Sequence, residues 1–338
     1  MKVLALGRNE IFLAALKELV STGRHKLVAA ITARASPEYK CAAGDFESFA
    51  EINGIEFVET QRIDQKLQER IAGWDPDVAI SLNWVGILGA KIIGLFPNGV
   101  VNAHFGDLPR YRGNAVTNWA LLAEESEIVL TLHQMRPDEL DSGDILVQKR
   151  MSLAKETTID DINCFAEAEV PSLFAQVLDQ MEEGTLVPRR QEDSDLMPFR
   201  CYPRLPRDGR ILWTQPATHI NALVRSLVKP YTGAFTYYRD AEGELQKLHI
   251  WRTRVVTEET SDRGMPGHVI RNDCASGESW VYTGRGILGI CGVSHGEAGK
   301  EFSPGRKWQS TRLRLGLDVE EELMKLVCRL ENNGKVPK

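Results

Sequence analysis

The sequence predicts an α/β protein of two domains, a mostly parallel sheet covered by helices and then a smaller β-rich unit. Three observations carry this. Short apolar runs alternate with longer amphipathic stretches through the first half, a polar, proline-bearing stretch breaks the pattern at residues 188–206, and short β-prone runs separated by Gly, Asp and Asn follow it. With 338 residues, 43% hydrophobic and 26% charged, the chain is long enough to bury two cores and has the profile of a soluble protein.

Taken in order, residues 3–6 predict the first strand and residues 11–19 the helix after it. Residues 27–31, 78–82 and 100–101 predict further strands, with residues 46–52, 87–96 and 115–122 as the intervening helices. That alternation suits a parallel sheet, whose strands are joined by crossovers that are usually helical. The apolar runs at 128–135 and 145–147 would continue the sheet, with the loop 138–143 between them. Residues 157–184 read as one long helix or a broken pair, with Ile159, Ile162, Phe165, Leu173, Phe174, Val177 and Leu178 on apolar faces and Gly184 as a stop. This plan is Rossmann-like, yet Gly7, Arg8 and Asn9 after the first strand do not form the GxGxxG fingerprint, which argues against a classical dehydrogenase.

The polar run 189–195 marks a linker. Domains are therefore expected at residues 1–188 and 206–315, with 189–205 joining them and a helical tail at 316–338. In the second domain a helix near 217–227 precedes short strands at 235–238, 248–251, 268–270, 280–282 and 288–290. A small barrel suits them, and a sandwich fits the strand count as well. Residues 318–330 read as an amphipathic helix with an acidic first turn.

Six scattered cysteines form no CxxC pair, so neither a zinc site nor a disulfide framework is suggested. The first apolar run is too short for a secretory core or a membrane span, and a cytoplasmic location is expected. The net charge of -6 is uneven: from Pro203 onward 21 Lys and Arg stand against 16 Asp and Glu, whereas residues 1–202 carry 20 against 31. The basic residues of the second half are scattered among acids, which falls short of a nucleic-acid surface.

Residues 102–113 and 140–145 hold the chemistry. Asn102 and His104 alternate at the end of the apolar pair Val100 and Val101, so both side chains leave one strand end on the same face. In a parallel sheet ligands bind beyond the carboxyl ends of the strands. An amide donor can hold a developing oxyanion, an imidazole can manage a proton, and a carboxylate such as Asp141 can orient that imidazole. Singly, each residue would also fit a strand cap, a packed core histidine or a plain turn. Together and in order, they favour chemistry.

These segments resemble the formyltransferases that use 10-formyltetrahydrofolate, in which an Asn-x-His, Leu-Pro, Arg-Gly segment precedes a Leu-Asp-x-Gly segment. The matching residues are Asn102, His104, Leu108, Pro109, Arg112, Gly113, Leu140, Asp141 and Gly143. Residues 118–121, 131–133 and 230–235 are similar to the family too, so the resemblance covers most of the chain and thins beyond about residue 295. It implies acyl transfer with no metal: Asn102 at the oxyanion, His104 as oxyanion donor or proton carrier, and Asp141 orienting and charge-balancing His104. It also implies a pterin site for the co-substrate from Trp84, Gly86, Ile87 and Leu88 on one side and from Asp138, Leu140 and Asp144 on the other, and an open, oligonucleotide-fold-like second domain. Arg8, Asn9, Asp107 and Arg112 are candidate acceptor contacts, Asp107 also reading as a turn carboxylate. His133 reads as a buried support. The chain departs from the family at Gly106 and Asp107, where a small hydroxyl residue and then Leu are common, and at Val129, where Gly is common.

Two kinds of family member match this length, the methionyl-tRNA formyltransferases and enzymes that formylate the amine of a nucleotide-linked sugar. Arg110 to Gly113 with Asn118 and Trp119 are more similar to the sugar group, and residues 32–45 carry only Arg34 and Lys40 as bases, few for a loop set against a tRNA stem. The expectation is a cytoplasmic enzyme, a homodimer being one option, that formylates a nucleotide-activated amino dideoxy sugar such as dTDP-4-amino-4,6-dideoxyglucose, destined for a surface polysaccharide such as the O-antigen of lipopolysaccharide. A methionyl-tRNA enzyme is the alternative, and a non-catalytic folate or sugar-nucleotide binder is a third reading.

Overall fold

The computed structural model describes residues 1–332 apart from Ala241, Gln309 and Asp318, and the chain divides into two compact units, Met1–Arg204 and Leu205–Lys338. The first unit runs β1 (Lys2–Gly7), α1 (Glu10–Thr22), β2 (Lys26–Thr32), α2 (Ala43–Asn53), β3 (Glu56–Glu59), α3 (Gln65–Trp74), β4 (Val78–Leu82), α4 (Ala90–Ile93), β5 (Val100–His104), β6 (Arg112–Gly113), α5 (Val116–Leu122), β7 (Glu127–Gln134), β8 (Ile145–Ser152), α6 (Ile159–Glu183) and β9 (Arg200–Cys201). Seven strands form one sheet in the order β3-β2-β1-β4-β5-β7-β8. The pairs from β3 to β5 are parallel, and β7 and β8 turn antiparallel at the far side.

Burial explains why the central strands are continuous apolar runs rather than alternating ones. Val3 to Leu6 and Val78 to Leu82 are fully covered on both faces. On one face α1 and α6 pack Leu16, Val170 and Val177 over the sheet, with Phe12 between Phe46 and Phe174 at centroid distances of 6.4 and 6.3 Å. On the other, Leu67, Ile71, Leu88 and Phe96 cover Leu4, Ile31, Ala79 and Val100. Each such side chain contributes roughly 1.5–3 kcal/mol of burial. Caps set the helix starts: Asn9 opens α1, and Thr158 forms a capping box with Asp161 at α6.

The elements depart from expectation where apolar periodicity is weak. β3 and α3 are unannounced, because a four-residue strand and a polar helix leave few apolar positions. The run 87–96 yields only the single turn α4, hemmed by Gly89 and Gly94. Residues 157–184 form one helix with Pro171 inside it. The proline-bearing stretch read as a linker is held on the first unit: Arg189 exchanges backbone bonds with Ile145, and β9 pairs with β6.

The second unit has α7 (Ala217–Arg225), β10 (Ala234–Arg239), β11 (Leu245–Thr257), β12 (Val269–Asn272), β13 (Ser279–Tyr282), β14 (Ile287–His295), α8 (Pro304–Lys307) and α9 (Val319–Asn332). Its strands make one antiparallel sheet, β10-β11-β14-β13-β12, not the two sheets of a sandwich. Residues 313–316 join the two outer strands: Val269 N–H donates to Leu313 O at 3.0 Å, Leu315 N–H to Gly267 O at 2.7 Å, and Gly316 N–H to Tyr237 O at 2.8 Å. The sheet thereby closes on itself around Leu248, Ile250, Val281, Leu288, Ile290 and Leu315. The tail helix expected from Asp318 begins at Val319, Asp318 itself lying outside the described residues. No helix among the described residues is long and apolar enough to cross a membrane.

Candidate active site

β5 ends in the middle of the sheet, where parallel pairing with β4 gives way to antiparallel pairing with β7. The register sets Asn102 beside Ser81 on one side and His133 on the other, and His104 beside Thr131. Residues paired across strands share a face, so Asn102, His104 and His133 project together. Asp141 reaches them from the loop after β7.

The four side chains form one network. Asn102 Nδ2 lies 3.2 Å from His133 Nε2, and His133 Nδ1 lies 3.0 Å from the Gln134 carbonyl. A carbonyl only accepts, so Nδ1 of His133 carries the proton and Nε2 accepts from the Asn102 amide. By the same logic His104 Nε2–H donates to the Tyr111 carbonyl at 2.7 Å, and His104 Nδ1 faces Asp141 Oδ2 at 3.6 Å. The other carboxylate oxygen, Asp141 Oδ1, stands 3.5 Å from His133 Nε2. Gly113 N–H donates to Asp141 Oδ2 at 2.8 Å, tying the first segment to the second. Burial by itself would push the Asp141 carboxyl up. In their charged forms the His104 and His133 imidazoles, together with the Gly113 N–H, outweigh it and hold the group well below the usual carboxylate range.

Unusual backbone shapes this site. Tyr111, Ala115, Asp138 and Asp141 all have positive φ, at 53, 52, 60 and 49°, conformations that cost a side-chain-bearing residue energy. Two glycines are dictated by crowding. A Cβ on Gly106 would lie 2.5 Å from the Tyr111 oxygen and 2.6 Å from His104 Nε2, so the backbone here leaves no room for a side chain. A Cβ on Gly143 would lie 1.6 Å from the Gln134 oxygen. Gly143→Ala is expected to destabilise the protein by about 3 kcal/mol, through displacement of the loop that carries Asp141. An unchanged urea midpoint would count against this reading of the loop.

The remaining expected residues divide in two. Of those expected at the pterin, Ile87 and Gly86 are exposed, Trp84 is half-buried and Leu88 is buried. The Asp138 N–H donates to the Leu88 carbonyl at 3.0 Å, so the two loops are joined, and a Cβ on Gly86 would meet open space. Leu140 is partly covered, and Asp144 pairs with Arg136 at 3.2 Å. The residues expected at the acceptor are engaged within the protein. Arg8 donates to the Asn83 and Arg34 carbonyls, both at 2.9 Å, and lies over Tyr39. Asn9, a candidate acceptor contact, is buried and caps α1 by accepting from the Phe12 N–H, as a helix needs an N-terminal acceptor. Asp107 faces Arg150 at 3.6 Å, and Arg112 donates to Gln191.

Two members of this constellation carry no local sequence signal of function. His133 reads as a buried support, and its approach to Asn102 depends on the β5–β7 register. Gln191 lies in the presumed linker. A cleft of about 470 Å³ opens beside the network, with Arg112, Arg136, Glu139, Ser142 and Gln191 among its lining residues. Among the described residues no group of three His, Cys, Asp or Glu side chains is placed to hold a metal ion. The arrangement can stabilise a negative oxygen, hold a charged imidazole against a buried carboxylate and exchange a proton with a bound amine.

Comparison with known proteins agrees with this fold. The pattern described as formyl transferase matches residues 1–178, and that described as formyl transferase, C-terminal domain, matches residues 205–310. Among solved structures, HypX from Aquifex aeolicus in complex with tetrahydrofolic acid superposes with a TM-score of 0.57 at 15% identity over 92% of this chain and 47% of that one. The chain thus spans about half the length of HypX. The N-formyltransferase from Helicobacter canadensis, in complex with folinic acid and dTDP-3-aminofucose, superposes with a TM-score of 0.62 at 17% identity over 86% of this chain and 98% of that one. The sugar 3N-formyl transferase WlaRD, in the presence of dTDP and 5-N-formyl-THF, gives a TM-score of 0.56 at 15% identity over 86% and 97%. At such identities the likeness is one of fold.

Proposed function

The chain belongs to the formyl transferase family, and from that premise we propose that it moves a formyl group from 10-formyltetrahydrofolate to the primary amine of a nucleotide-linked amino sugar. The observation that carries the reading is the network of Asn102, His104, His133 and Asp141 at the end of β5, with a loop, residues 84–88, whose exposed Val85 and Ile87 offer apolar surface to a flat heterocycle. Two sugar-modifying structures of this fold, one holding a dTDP-linked amino sugar, match over nearly their whole length and support the acceptor class.

The chemistry balances without a covalent intermediate. The amine nitrogen attacks the formyl carbon, the bond from that carbon to folate N10 breaks, one proton leaves the amine and one arrives at N10. The second N–H of Asn102 Nδ2, not directed at His133, is the donor for the oxyanion. His104 exchanges its bond to the Tyr111 carbonyl for one to the reacting group and either holds that oxygen or carries the proton. Asp141 stabilises whichever imidazole becomes charged.

The test is release of tetrahydrofolate with dTDP-, UDP- and GDP-linked amino sugars, run beside charged initiator tRNA. Turnover with a sugar nucleotide and not with tRNA is expected. Turnover with tRNA alone would replace the acceptor assignment, and folate binding without turnover on any amine would favour a binding protein.

A further inference from the structure

Gln191 is 2% exposed, although it lies in a polar stretch that reads as a linker. Its carboxamide uses every bond it can make. Nε2 donates to the Asp141 carbonyl at 2.9 Å and to the Gly143 carbonyl at 2.7 Å. Oε1 accepts from Arg112 Nη2 at 2.6 Å and from Arg112 Nε at 3.2 Å. One buried amide thus clasps the two segments that carry the chemistry, holding the Arg112 side chain with one end and the backbone of the Asp141 turn with the other.

The segment bearing Gln191 is fixed on both sides. Arg189 and Ile145 exchange backbone bonds at 2.8 Å just before it. After it, Arg112 N–H donates to Phe199 O and Asn114 N–H to Cys201 O, both at 3.1 Å, and the Tyr111 and Phe199 rings meet edge to face at 4.6 Å. Such anchoring has a physical purpose. Asp141 sits at φ 49°, a conformation that a non-glycine residue keeps only where its surroundings impose it. Within that turn, the bonds from Gln191 to residues 141 and 143 are side-chain contacts that a released turn would lose. A small shift would take the carboxylate out of reach of both imidazoles and of the Gly113 N–H.

We propose that Gln191 is a positioning residue, which locks the Asp141 turn and Arg112 into one rigid unit and so sets the carboxylate between His104 and His133. The inference rests on the formyl-transfer reading for its kinetic consequence, but its structural core can be tested without turnover. Gln191→Met keeps the size of the side chain and removes its hydrogen bonds. Gln191→Glu keeps an acceptor for Arg112 and sets oxygen against the two carbonyls. In both variants the Gly113 amide is expected to exchange with solvent deuterium at least about tenfold faster, because the released turn no longer holds the Asp141 carboxylate on it. The same misplacement is expected to lower kcat by about 10²-fold while KM for each substrate moves little. Unchanged Gly113 protection in a folded variant would overturn the proposal even if activity fell. If Gln191→Met does not fold, Gln191→Glu decides by the same exchange measurement. Should no sugar nucleotide be turned over, the acceptor assignment fails while the exchange result still tests the lock.

Discussion

Replacing Asn102 by alanine is expected to lower kcat for formyl transfer by about 10²- to 10³-fold, the usual cost of removing one preorganised oxyanion donor. The effect should fall on kcat, with KM for either substrate within about threefold, because the proposed role of the Asn102 amide is to meet charge that exists only in the transition state. The fold should survive. Asn102 is one polar residue at a strand end, and its neighbours Val101 and Ala103 keep the core contacts. Single-turnover assays with matched circular dichroism would measure this. Turnover within tenfold of the parent protein would remove Asn102 from the site.

Asp141→Asn should be comparably damaging, about 10²- to 10⁴-fold in kcat, and it makes a second prediction about stability. The Asp141 carboxyl lies below its ordinary value of 3.8 in the folded protein, so the folded state favours the charged form. Its contribution is fully present above the unfolded value and is lost as the pH falls through the folded one. An asparagine has no such dependence. The stability difference between parent and variant should therefore be constant above about pH 5 and shrink progressively below 3.8. At neutral pH the variant should be less stable by about 1–2 kcal/mol, since the Gly113 N–H exchanges a charged acceptor for a neutral amide. Urea unfolding across the acid range measures both, and a difference that widened toward acid would refute the assignment.

The legible parts of this molecule are those written in local pattern. Period-two alternation put Asn102 and His104 on one face, continuous apolar runs marked β1 and β4, and the capped apolar repeat of α6 marked that helix. What escaped depends on distance along the chain. His133 meets Asn102 because β7 runs antiparallel to β5 in one particular register, and no window around either residue contains that register. β8 runs on to Ser152 through Gln148, Lys149 and Arg150, whose polar side chains suit a half-exposed outer strand and hide it from an apolar search. Gln191 is the clearest case. Its neighbours are charged and proline-rich, so composition says linker, while its amide is buried against the Asp141 turn, 50 residues earlier in the chain.

The closure of the second unit by residues 313–316 bears on how the protein is made. During synthesis β10 to β14 can pair as they emerge, yet the ring has a gap between β10 and β12 until Leu315 and Gly316 have left the ribosome. Until then two strand edges present unpaired N–H and C=O groups, the condition in which nascent chains recruit one another. The seam is therefore the last stretch of this sheet's backbone pairing that the chain can complete as it is synthesised.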